Sequence, residues 1–159
     1  MRQILLSLLA VFTLLPAAAA AADWGRYENG RYGYGIAVPP GFAGQGESDS
    51  GDGQVFRSGN GRETLTVWGG YLMLGDFGDE VEATLAGLKD EGWSISYQAS
   101  SPRWASFSGT RGGTVLYGRM VAACDGYATF RLEYPQADLA RFDPIVERLV
   151  QSLGESGCP

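Results

Sequence analysis

Histidine is absent from this chain of 159 residues. That absence removes Ser-His and Cys-His nucleophile pairs, imidazole metal ligands and histidine pH switches. Lysine is represented by Lys89 alone, and there are 2 cysteines. No apolar run is long enough to cross a bilayer, which takes roughly 20 such residues. What is present is glycine (24 residues), 45% hydrophobic and 19% charged residues, and a net charge of −6. This composition excludes a disordered chain or a repeat array and fits one domain. Its acidity opposes binding to nucleic acid phosphates and to anionic membranes.

The start of the chain reads as a secretory leader. Met1, Arg2 and Gln3 precede an apolar stretch from Ile4 to Leu15, and Pro16 and six alanines follow up to Ala22. A positive start, a short apolar core and small residues suited to an Ala-x-Ala cleavage site are its three parts. Residues 1–22 are therefore assigned to a signal peptide and 23–159 to the mature domain, with no membrane span after cleavage. The expected location is the periplasm or the exterior. Removing Arg2 with the leader takes the net charge from −6 to −7. An even cysteine count in an exported chain favours a disulfide between Cys124 and Cys158. On the chain-entropy model, closing that loop stabilises by about 4 kcal/mol.

Tyr32, Tyr34, Ile36 and Val38 alternate with small residues, as in a strand stopped by Pro39-Pro40-Gly41. The polar, glycine-rich stretch from Ala43 to Gly53 predicts a loop. Its acids Glu47, Asp49 and Asp52 lack the spacing of an EF-hand, so no metal and no cofactor is expected. Residues 54–58 and 63–69 predict a hairpin turned at Asn60-Gly61 in a type I′ turn, with Phe56 opposite Leu65 and Arg57 opposite Thr64. Asp76 to Glu91 predicts a helix whose buried stripe is Val81, Thr84, Leu85 and Leu88, ended by Gly92. Four strands follow, at 93–98, 104–109, 114–123 and 127–134, in an antiparallel meander. Asp143 and Pro144 predict the start of a second helix, burying Ile145, Val146, Leu149, Val150 and Leu153. The fold class is α+β: an antiparallel sheet of about seven strands with two packed helices, an α/β/α sandwich. Serines 94, 96, 106 and 108 leave part of one sheet face wet, as an open cleft.

A candidate binding patch follows from requiring a uniform apolar face on the last two strands. A three-residue loop, Cys124-Asp125-Gly126 with Gly126 in the left-handed region, puts Met120 opposite Phe130 and Gly118 opposite Leu132. The other face then carries Arg119 opposite Arg131 and Tyr117 opposite Glu133. A four-residue loop from Thr110 to Gly113 sets Trp104 beside Arg119. Paired arginines beside an aromatic suit a carboxylate, a phosphate or a partner's acidic side chain, although Trp104 stacked on Arg119 with Glu133 nearby also serves a purely structural role. Tyr117 with Glu133 is the pair with most catalytic potential, but no catalytic residue is assigned and the protein is not expected to be an enzyme.

The order of three strands, a helix, four strands and a helix behind a leader resembles the PsbP-like fold, the superfamily that includes the Ran-binding Mog family. YENGRYGYGIAVPPGF looks like the start of bacterial secreted members, and LEYPQADLARFDPIVERLVQSL is similar to their last strand and helix. The resemblance implies a non-enzymatic accessory role, often in assembling or stabilising an envelope or membrane complex. It carries over no catalytic residues. The expected function is thus an exported interaction protein with an envelope protein or cell-wall partner. The alternatives are a small-ligand carrier and, further off, a histidine-independent hydrolase acting on cell-wall material. The oligomeric state stays open.

Overall fold

The computed structural model describes residues 23–159; the assigned leader, 1–22, lies outside the described residues. The strands are β1 (Gly25–Asn29), β2 (Tyr34–Val38), β3 (Phe42–Glu47), β4 (Gly53–Ser58) and β5 (Thr64–Tyr71), followed by helix α1 (Phe77–Asp90). Then come β6 (Ser94–Ser101), β7 (Trp104–Arg111), β8 (Thr114–Ala123), β9 (Gly126–Pro135), helix α2 (Leu139–Ser152) and the short β10 (Gly154–Glu155). Seven strands form an antiparallel sheet in the order β3-β4-β5-β9-β8-β7-β6, and β1, β2 and β10 form a small second sheet. The fold is α+β, with the expected seven-stranded antiparallel sheet and two packed helices. Its membership differs from the expected one: the Tyr34–Val38 strand belongs to the small sheet, and the seventh place is taken by β3, from the stretch expected to be a loop. β3 is an exposed edge strand, so it has no apolar alternation by which to be recognised.

Two apolar layers sit on opposite faces of the large sheet. On the first face, α2 and the small sheet bury Phe56, Leu65, Val67, Phe130 and Leu132 against Tyr34, Ile36, Phe142 and Leu149. On the second, α1 buries Val81, Leu85 and Leu88 against Ala105, Phe107, Leu116 and Met120. The two covers are offset. The first lies mainly over β4, β5, β9 and β8, and α1 lies over β7 and β8, so the first face is left open over β6 and β7.

α1 forms where expected because its ends are well specified. Asp76 and Asp79 make reciprocal side-chain bonds to each other's backbone N–H in a capping box. At the other end, Gly92 at φ 88 lets its own N–H reach the Lys89 carbonyl and the Trp93 N–H reach that of Leu88, closing the helix in a Schellman turn. α2 begins at Leu139, four residues before the expected cap, and Pro144 lies inside it. Tertiary contacts overrule the proline signal there. Phe142 stacks on Tyr134 with ring centroids 4.3 Å apart, and Arg141 Nη2 donates to the buried Glu63 at 2.5 Å. Burial alone would raise the Glu63 pKa, but hydrogen bonds from Ser58, Arg141 and Asn60 outweigh it and hold the carboxyl below its ordinary range.

Candidate functional site

The strand register decides which side chains share a surface, and it differs from the expected one at two hairpins. Gly112 and Gly113, both at positive φ, make a two-residue type I′ turn that pairs Arg111 with Thr114. The type I′ geometry expected at Asn60-Gly61 is not formed there. Only Gly61 has positive φ, and its N–H closes on the Ser58 carbonyl, although Phe56 does pair with Leu65 and Arg57 with Thr64. Between β8 and β9 the turn is Cys124-Asp125, with Cys124 at φ 47 and Ala123 paired with Gly126. Gly126 is not the left-handed residue. It is glycine because β5 passes so close that a Cβ would stand 2.0 Å from the Gly70 carbonyl oxygen. Cys124 is bonded to Cys158, Cα atoms 5.5 Å apart, which ties the hairpin tip to the end of the chain.

With this register Arg119 pairs with Phe130, Gly118 with Arg131, Tyr117 with Leu132 and Leu116 with Glu133. The expected Arg119–Arg131 and Tyr117–Glu133 pairs do not exist. Directly opposed residues share a face, so the candidate patch is divided: Trp104, Tyr117 and Arg119 lie on the first face, Arg131 and Glu133 on the second. The expectation failed because it assumed one apolar and one polar face. Here a helix packs on each face, and both strands alternate between two partly apolar surfaces.

The two arginines have different surroundings. Arg131 Nη2 donates to Glu91 Oε2 at 2.9 Å, and its Nε lies 2.8 Å from Glu133 Oε1, close enough for charge attraction but not aimed for a hydrogen bond. Its guanidinium also lies 5.3 Å from the Trp93 ring centroid. The hydrogen bond from Arg131, more than its charge, holds the Glu91 carboxyl below its ordinary range.

Arg119 forms no ion pair among the described residues. Its guanidinium lies 4.7 Å from the Trp104 ring centroid, and Nη1 donates to Ser106 Oγ at 2.9 Å. Its Nε is buried without a hydrogen-bond partner. Burial pulls its pKa down; the phenols of Tyr117 and Tyr97 oppose the shift, and no carboxylate contributes. An arginine stays charged regardless, so this is a partly desolvated cation lacking a counter-ion. Ser106 pairs with Arg119 and Ser108 with Tyr117, which places both serines on the first face, but only Ser108 is partly exposed; Ser106, expected to be wet, is buried. The expected stack of Trp104 on Arg119 is present, reached diagonally, because Trp104 itself pairs with Val121.

Next to this shelf, an open groove of 350 Å³ runs between Tyr117, Val115 and Tyr134 on the sheet and Val146, Val150 and Asp143 on α2. Tyr97 and Leu139, 47% and 42% exposed, stand at its surroundings on β6 and at the start of α2. The sequence pattern anticipated an open cleft on one face but neither the α2 wall of this groove nor Tyr97's part in the shelf, since those depend on the tertiary fold and on the register of β6. Glu91 was missed for a similar reason: it closes α1, and only the tertiary fold brings it to Arg131.

No protein-family model and no curated protein matches the sequence. Among solved structures, the chain is similar to cyanobacterial PsbP (CyanoP) from Synechocystis sp. PCC 6803, with a TM-score of 0.62 over 87% of this chain and 96% of that one, at 15% identity. With its seven-stranded antiparallel sheet, small second sheet and two helices, the chain has the PsbP-like fold.

Proposed function

We propose that this protein is an exported, non-enzymatic accessory protein that takes an anionic group of an envelope protein or cell-wall partner on Arg119. The observation that carries this reading is the Arg119 guanidinium, partly buried, stacked on Trp104 and hydrogen-bonded to Ser106, yet without a carboxylate partner among the described residues. Desolvating a cation costs several kcal/mol unless an opposite charge offsets it, and an incoming carboxylate would supply that charge with bidentate geometry. The shelf is shallow and its neighbouring groove open, whereas a carrier of apolar ligands needs an enclosed, mostly apolar pocket. The fold shared with cyanobacterial PsbP and the joined cysteines support an exported accessory role. The non-enzymatic reading draws support from Tyr117 and Glu133, the pair with most catalytic potential, which stand on opposite faces of the sheet.

Cross-linking and capture from envelope extracts with the native protein, Arg119→Ala and Arg131→Ala tests the reading. Partners held by the native chain and by Arg131→Ala, but lost by Arg119→Ala, are the expected result. Equal capture by all three would leave Arg119 without a binding role, and co-purification of a metabolite or lipid would favour a carrier.

A further inference from the structure

Sheet edges expose unpaired backbone donors and acceptors, and folded proteins blunt them with charge, proline, glycine or irregularity. β1 carries Arg26 and Glu28, joined in an ion pair. β3 carries Gly44, Gly46 and Glu47, with a register shift between Gly44 and Glu47. β6, at the other end of the large sheet, has the sequence SISYQASS with none of these residues. Its one irregularity falls between Ile95 and Tyr97, leaving Tyr97 to Ser101 in regular pairing with β7. Among the described residues no backbone hydrogen bond is made on its outer side. Tyr97 is also one of the few large hydrophobic residues left exposed.

We propose that a second copy of this chain adds to β6, antiparallel, about a two-fold axis through Ala99. The occupant is argued from charge and register. The chain is acidic, with a net charge of −6, so most pairs of surfaces on two copies repel, but the β6 stretch brings two copies together without opposing any charges. Side chains keep their faces only if opposed residues have the same parity. The axis at Ala99 meets that condition within the regular stretch: Ala99 faces Ala99, Gln98 faces Ser100, and Tyr97 faces Ser101 of the partner subunit. The row Phe130, Arg119, Ser106, Ala99 then continues through Ala99 into the second copy. The two Arg119 side chains share one open face, five strand spacings or about 24 Å apart, with a floor of small residues between them. Pairing along one short edge buries less than the roughly 800 Å² per partner of a standard interface, so the dimer is weak, dissociating at roughly tens of micromolar.

Sedimentation velocity of residues 23–159, from about 1 µM to about 1 mM, tests this. The native chain is expected to move from monomer to dimer across that range. Tyr97→Lys with Ser101→Lys opposes lysines across the axis twice and is expected to stay monomeric. Tyr97→Lys with Ser101→Glu opposes lysine to glutamate at the same two places and is expected to restore the dimer, which separates loss of pairing from damage to the fold. If both double variants fail to fold, mixing Ala99→Lys with Ala99→Glu chains makes the same test at the axis. A native chain monomeric throughout, a dimer unaffected by Tyr97→Lys with Ser101→Lys, or no restoration by the complementary charges overturns the proposal. The inference does not rest on the Arg119 reading: Arg119→Ala is expected to leave the dimer intact, so either can fail alone.

Discussion

Arg119 and Arg131 lie on neighbouring strands, each near a tryptophan, yet among the described residues Arg131 has two carboxylates within reach and Arg119 has none. The difference separates a cation that belongs to the structure from one with spare capacity. On the second face the acids come from the end of α1 and from β9 itself, and the side chain of Arg131 is 18% exposed. Its charge is satisfied from within the chain. On the first face α2 ends its cover before reaching β7, and its acids Asp143 and Glu147 face the groove without pairing with Arg119. The same residue type is thus locked on one face and available on the other because of the offset between the two covers.

The largest expected effect breaks the second face alone. Gly118 pairs with Arg131 and lies under the Phe107 ring, and a Cβ there would stand 2.1 Å from Phe107 Cε2. Gly118→Ala forces that ring out of the layer beneath α1, at a cost of about 3 kcal/mol from overpacking. Denaturant unfolding is expected to show the loss, while partner capture through Arg119 persists in the folded fraction. Arg131→Ala ranks next. Removing one member of a partly buried ion pair leaves Glu91 and Glu133 facing each other uncompensated. Since Glu91 is about half exposed, solvent screens it and the expected loss is about 2 kcal/mol, less than for a fully buried pair.

Acid sharpens the same contrast. Glu91 is held below its ordinary value of 4.5 chiefly by the Arg131 hydrogen bond. A carboxyl whose folded pKa is depressed contributes stability above its unfolded value and loses it as the pH falls through the folded one. The native chain should therefore lose more stability between about pH 5 and pH 3 than Arg131→Ala does. Arg119→Ala should follow the native curve, having no carboxylate to release. Parallel urea titrations at stepped pH give the comparison, and identical slopes for native and Arg131→Ala would remove the Glu91 pair from the account.

Local signals carried the parts of the fold that local chemistry controls. α1 was legible because Asp76 and Gly92 mark its ends and Val81, Leu85 and Leu88 its buried stripe. The pairing of β4 with β5 was legible because Phe56 and Leu65 share one apolar face. Where one residue of register decided the surface, the sequence was ambiguous. Asp125-Gly126 looks like a turn, yet Gly126 serves the close approach of β5, and Cys124 takes the positive φ with its sulfur bonded to Cys158. The glycine pair that does form a type I′ turn is Gly112-Gly113. Of the candidate patch, Trp104 with Arg119 survived the register change because an arginine reaches diagonally across a sheet. Arg131 and Glu133 did not, because strand side chains alternate faces and a shift of one residue moves them to the other side.

The smallest expected change in stability belongs to Arg119, and it is the most informative. Arg119→Met keeps an unbranched stem over Trp104. It gives up a cation–aromatic contact of about 1 kcal/mol and the hydrogen bond that Arg119 donates to Ser106, of similar size, and it removes a partly desolvated charge whose Nε has no partner. These contributions oppose one another, so stability should change by no more than about 0.5 kcal/mol. Arg131→Met has no such balance, because it strands two carboxylates, and should lose most of what Arg131→Ala loses. A paired urea titration of the two methionine variants therefore measures whether each guanidinium is neutralised inside the chain. Loss of stability in Arg119→Met comparable to that in Arg131→Met would mean that Arg119 is structural after all, and the anion-binding role would have to be sought elsewhere on the first face.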